Sequence, residues 1–161
     1  MTLTAFCHWL EHSAVATAIA ESDWLFPAIE SVHVIALTTV VGSIALVDLR
    51  LLSLSARRIP VSRFIDAILP LTWAAFVVAV ISGALLFATD ATGYLENQPF
   101  RYKMLLIACA GANMLVFHFV TGRRLREWST EHTPGAAKFA GALSLVLWTG
   151  TVVLGRWIAF A

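Results

Sequence analysis

Residues 67–89, AILPLTWAAFVVAVISGALLFAT, contain no charged side chain. About 20 apolar residues of helix cross the hydrocarbon core of a bilayer, and this stretch supplies them. Lipid cannot satisfy a bare backbone, so a spanning segment must close its hydrogen bonds internally as a helix. With its flanks, this span runs from about Ile65 to Thr89. Three further segments obey the same rule. One runs from about Trp24 to Val47 and encloses Glu30 and His33. One, about Tyr102 to Thr121, is uncharged from Met104 onward, and the last, about Phe139 to Phe160, is interrupted only by Arg156.

Composition agrees. Of 161 residues, 59% are hydrophobic and 13% charged, against about 25% charged in an ordinary soluble domain. Mean hydropathy is +0.80. A globule of this length keeps a large share of its surface in water and could not hide so much apolar area. A soluble enzyme and a disordered chain are thereby excluded. The net charge of +1 gives no field for a polyanion, so no nucleic-acid partner is expected. No phosphate-binding loop, dinucleotide fingerprint or nucleophile elbow occurs. Cys7 and Cys109 form no CxxC pair and no c-type haem attachment motif.

The expected fold is all-α: an integral membrane antiparallel four-helix bundle over residues 24–161, joined by short connections. Residues 1–23 precede it with a short interfacial helix, Phe6, Trp9 and Leu10 toward the membrane and Glu11 and His12 toward water. This segment has no basic leader region and is expected to belong to the mature protein. Asp90-Ala91-Thr92-Gly93 predicts a turn, Thr133-Pro134-Gly135 a break, and Pro70 a kink. Arg50, Arg57, Arg58 and Arg63 mark the first loop, and Arg123, Arg124, Arg126 and Lys138 the third. The positive-inside rule puts both loops in the cytoplasm and both termini outside.

Charged groups inside hydrocarbon are costly, so they are the functional candidates. Glu30 and Asp48 lie five turns apart on one face of the first span, with His33 one turn from Glu30. Asp48 and Arg50 are expected to make a structural ion pair. On the third span, Lys103, Gly111, Met114 and His118 fall on one stripe, with Asn113 beside it. Topology gathers Glu30, His33, Lys103 and Arg156 at the outer end. That cluster has two readings. It is either a salt-bridge network fixing register, or a cofactor site with His33 on haem iron and the basic residues on the propionates.

Depth separates the two histidines. His33 lies about 8 Å inside the outer boundary and His118 about 23 Å, at 1.5 Å per residue. One iron bridged by both is disfavoured; two sites fit better. His118 would then serve an inner site lined by Met114 and Gly111. His8 and His12, at i and i+4, form a weaker candidate metal pair. His132 is the other histidine on the inner side.

The run Trp24-Leu25-Phe26-Pro27-Ala28-Ile29-Glu30-Ser31-Val32-His33 resembles the first-helix signature of a family of short bacterial four-span membrane proteins of unknown function. Val47-Asp48-Leu49-Arg50-Leu51-Leu52, Asn97-Gln98-Pro99-Phe100 with Lys103, Asn113 and Phe117-His118, and Gly155-Arg156-Trp157-Ile158-Ala159 extend that resemblance over most of residues 20–161. It implies the fold and points to Glu30, His33, Asp48, Lys103, Asn113, His118 and Arg156; it implies no activity. More distantly the bundle is similar in kind to membrane b-type cytochromes. The leading expectation is a b-type haem protein that transfers electrons, with one or two haems and exchange with quinone. The alternatives are an accessory subunit that self-assembles or joins a larger membrane complex, and a proton or metal-ion pathway.

Overall fold

The computed structural model describes residues 2–54, 60–121 and 133–160, with backbone alone at 120 and 121. Among these the secondary structure is helical, with no strand. Arg57, Arg58, Arg123, Arg124, Arg126 and His132 lie outside the described residues.

The N-terminal segment forms two short helices rather than one. Helix α1 (Leu3–Glu11) is capped by Thr2, whose side chain accepts from the Ala5 amide. Ser13 caps α2 (Ala14–Ala20) in the same way through Ala16. A Ser at that position offers the backbone a local partner, which ends one helix and starts the next. Four long helices follow: α3 (Leu25–Leu51), α4 (Val61–Ala88), α6 (Gln98–Val116) and α7 (Gly135–Trp157). Between α4 and α6 the expected turn is instead a short helix, α5 (Ala91–Glu96), capped by the Asp90 carboxylate on the Gly93 amide. The third span ends in a π-helical turn, Phe117–Thr121, and α7 tightens to a 3₁₀ turn at Ile158–Phe160.

Helices α4, α6 and α7 each begin about one turn before the apolar run does. Hydropathy marks where lipid contact starts, whereas caps mark where the helix starts. Pro60 and Pro134 precede α4 and α7, and the Asn97 side chain accepts from the Phe100 amide at the head of α6. A helix runs through Pro70 without interruption.

Buried positions recur in steps of three, four or seven: Ala36, Val40 and Ser43 on α3; Ala75, Ala79, Ser82 and Leu86 on α4; Ala137, Gly141, Ser144 and Thr151 on α7. That spacing averages near 3.5 residues, the period of a narrow left-handed packing seam. The seam is built of small and hydroxyl-bearing side chains, which let membrane helices approach closely. At Gly141 a Cβ would lie 3.2 Å from the Asp48 carbonyl oxygen and 3.3 Å from Leu51 Cβ, so α3 and α7 meet backbone to side chain there. Large apolar residues point the other way: Ile35, Leu71, Val77, Val80, Ile81, Leu105, Val146 and Val152 are exposed. This is the reverse of a water-soluble core. All four long helices are long and apolar enough to cross a membrane.

Helix α3 packs along α4 and against α7, and α7 packs along α6. No comparable contact joins α4 to α6 among the described residues, so three sides of the expected bundle are closed by helix packing. Rings bridge the fourth side at one end. Phe87 near the end of α4 stacks on Phe100 near the start of α6 at 5.6 Å, and Tyr94 of α5 lies 6.0 Å from Phe87 and 5.3 Å from Phe100.

Candidate functional site

The site begins at His33. Its Nδ1 lies 3.0 Å from Ser82 Oγ on α4. Ser82 has one hydroxyl proton and donates it to the Val78 carbonyl at 2.7 Å. With its own proton on Val78, Ser82 can accept from His33 Nδ1, and the imidazole also hydrogen-bonds the Ala79 backbone, so α4 holds the ring at two points. Gly83 makes this placement possible. A Cβ at Gly83 would lie 2.9 Å from His33 Cε1 and 3.4 Å from Nδ1, so the imidazole rests directly on the α4 backbone. Sequence reasoning missed both partners. The signal available was the Ser82-Gly83 pair, polar and small, inside an otherwise apolar span.

Lys103 reaches the same region from α6. Its Nζ lies 3.6 Å from where a Cβ of Gly155 would stand, so the lysine stem lies across α7 at a position with no side chain. Lys103 and Glu30 both act electrostatically on His33. Among the described residues the ion pair formed is His8–Glu11, so no carboxylate neutralises Lys103 within salt-bridge distance. The ring cluster lies one turn further out. Phe87 is four residues beyond Gly83, and Phe100 three residues before Lys103, spacings that keep each pair on one helix face. Tyr94 completes the roof. Burial raises the pKa of its phenol, with the charges of Asp90 and Glu30 adding to the effect.

The other expected residues are placed differently. Glu30 is exposed and pairs with neither Arg156 nor Lys103. Arg156 lies over the Phe160 ring, 4.9 Å from its centroid. It follows Gly155 by one residue and so leaves α7 about 100° away from the Lys103 contact. Asp48 is buried and hydrogen-bonds Ser144 of α7. No ion pair joins it to Arg50 among the described residues, because side chains two positions apart on a helix do not face each other. Asn113 donates from Nδ2 to the Ala140 carbonyl at 3.0 Å and ties α6 to α7.

The residues expected to line a second site on α6 are not gathered in one place. His118 lies in the π-helical turn, is exposed, and meets the Phe119 ring edge-on at 5.2 Å. Met114 is exposed, and nothing lies within 4 Å of a Cβ at Gly111. Packing on α7 uses the Leu106, Ala110 and Asn113 face instead, which turns the expected stripe outward beyond Lys103. Among the described residues no second histidine or methionine is recorded against His33: Met104 is exposed, and His8 and His12 lie on α1 and at its C-cap. His12 Nδ1 donates to the His8 carbonyl at 2.7 Å, and the two rings stand 6.5 Å apart. No group of three His, Cys, Asp or Glu converges among the described residues. The described residues thus do not fit a haem held by two protein ligands.

A family model matches residues 6–161. The chain belongs to the family of unknown function DUF6644. The match begins within α1 and so reaches further toward the N-terminus than the resemblance in the sequence implied. No curated protein and no solved structure matches the chain.

Proposed function

We propose that this chain is an antiparallel four-span protein of the bacterial inner membrane that binds a lipid-soluble quinone at its outer end. Both termini lie outside, as the basic residues of loops one and three require. One observation carries the ligand. A histidine held on α4 by Ser82 and the Ala79 backbone lies near a lysine that has no acidic partner among the described residues, one turn beneath three aromatic rings.

A quinone headgroup is a flat ring with two opposed carbonyl oxygens. Lys103 can donate to one of them, and an ammonium in low dielectric gains more from such a bond than one in water. The His33 imidazole can accept from a hydroxyl of the reduced form. Because Ser82 holds the ring, accepting that proton needs no reorientation. Phe87, Phe100 and Tyr94 offer the headgroup aromatic faces and edges, for which offset or edge-on packing is favourable. The side between α4 and α6, closed by rings rather than by helix packing, lets the ligand enter from the bilayer. A quinone needs one histidine and no second axial ligand, which is what the residues supply.

The test is extraction. Protein purified in mild detergent, or with a surrounding patch of native lipid, is extracted with organic solvent and its quinone measured against total lipid. Enrichment in wild type, and its loss in both His33→Ala and Lys103→Met, is expected. Bulk-lipid quinone levels in all three proteins sink the proposal. So does an iron-containing sample with a Soret band, which would return the site to haem.

A further inference from the structure

Glu11, the last residue of α1, reaches into α5. Its Oε1 accepts from the Thr92 amide at 2.6 Å and from the Thr92 hydroxyl. Thr92 lies in the first turn of α5, where free amides and the helix dipole favour an anion. The contact is packed as well as polar. Cys7 on α1 is 1% exposed and Ala91 on α5 is wholly buried. Helix α5 in turn carries Tyr94, which touches both Phe87 and Phe100 above His33 and Lys103.

We propose that α1 is a latch: Glu11 holds α5, and through Tyr94 the ring roof, closed over the outer site. The gating consequence rests on the quinone reading; the latch itself does not. Release of Glu11 frees Thr92, lets α5 move, and opens the mouth between α4 and α6.

The groups facing Glu11 set its pH behaviour. On α1 they are His8, 3.5 Å away, and His12; on α5 they are the Thr92 amide and hydroxyl. Asp90 spends its carboxylate on the Gly93 amide, and the end of α4 that meets α1 brings no charged side chain. The hydrogen bonds from Thr92 hold the Glu11 carboxyl below its usual range, with the two histidines adding to the effect. A carboxylate lowered in the folded state stabilises it above the unfolded pKa and loses that effect as pH falls through the folded value. The latch is therefore closed at neutral and mildly acidic pH and opens only in stronger acid.

Cys7 supplies the reporter. In a Cys109→Ala background, which removes the exposed thiol, Cys7 is the remaining one. Its labelling rate by a water-soluble maleimide is measured for Glu11 intact, Glu11→Ala and Thr92→Val, with helix content checked by circular dichroism. Labelling about tenfold faster in Glu11→Ala, and increased in Thr92→Val, is expected, since one charge-assisted hydrogen bond is worth at least that factor. Unchanged labelling in Glu11→Ala overturns the latch. Should Glu11→Ala unfold, wild type labelled as pH is lowered replaces it, each rate divided by that of a free thiol at the same pH because the thiolate is the nucleophile: protection lost only in stronger acid supports the latch, and protection independent of pH overturns it. Ubiquinone-1 exchange is then measured on the same proteins. Faster exchange supports gating; faster labelling with unchanged exchange overturns gating; absent binding in wild type overturns the quinone reading and leaves the latch standing.

Discussion

Replacing Gly83 by Ala should be among the most damaging single-methyl changes in the protein. The new methyl carbon would lie 2.9 Å from His33 Cε1 and 3.4 Å from Nδ1, closer than unbonded carbons tolerate. The helix backbone of α4 cannot retreat without disturbing its seam with α3. The imidazole must move instead, and its hydrogen bond to Ser82 Oγ at 3.0 Å is lost. Overpacking of this kind costs about 1–3 kcal/mol, and the lost hydrogen bond about 1 kcal/mol more. Ala also gains about 1 kcal/mol over Gly in any helix. Gly111→Ala isolates that last effect, because a Cβ there meets nothing within 4 Å. Neither glycine has a positive φ, so Ala can adopt both backbones. The difference in unfolding free energy between the two variants should be about 2–4 kcal/mol, Gly83→Ala being the weaker protein. Reversible unfolding by dodecyl sulfate in mixed micelles, followed by circular dichroism, gives the numbers. Adding His33→Ala should restore much of the loss, since the obstructing ring is gone. Equal stabilities of the two glycine variants, or no coupling to His33, would refute the placement of the imidazole.

Ser82→Ala should keep the helices intact but let the His33 ring turn, weakening quinone binding about fivefold to tenfold; a titration in nanodiscs with no change would argue against an oriented imidazole. Lys103→Met should abolish binding yet leave the protein as stable or more so, because an ammonium without an acidic partner is costly in an apolar surround; a clear loss of stability would mean that Lys103 has a structural partner. Asn113→Leu should destabilise by about 1 kcal/mol through the lost bond to the Ala140 carbonyl, without touching ligand affinity, as thermal unfolding and the same titration would show. Gly141→Ala should cost more than Gly150→Ala. The first methyl meets the Asp48 backbone at 3.2 Å, whereas the second meets Leu106 Cδ1, the end of a flexible side chain.

The class of the fold was legible because hydropathy reports it directly: four long apolar runs became four long helices. Helix starts were less legible, since caps such as Asn97 sit outside the apolar runs that the eye follows. The 100° rule placed residues on a face but not which face the neighbours would use. On α6 the seam runs through Leu106, Ala110 and Asn113, and that rotation alone exposed Met114 and His118. His33 lies against Gly83 and Lys103 against Gly155, near enough for the lysine charge to act on the imidazole, whereas the expectation had rested on a carboxylate between them. Opposite charges at one depth had promised salt bridges for Glu30 and Arg156; both are exposed instead, and Arg156 lies over Phe160. The Glu11–Thr92 contact spans 81 positions and lay beyond any local pattern.

The most direct test is equilibrium binding of ubiquinone-1 and its reduced form to the purified protein in nanodiscs, wild type beside His33→Ala. One saturable site per chain, bound by wild type and lost without the imidazole, is the expected result. Equal, non-saturating uptake by both proteins, no greater than that of empty nanodiscs, would contradict a quinone site at His33.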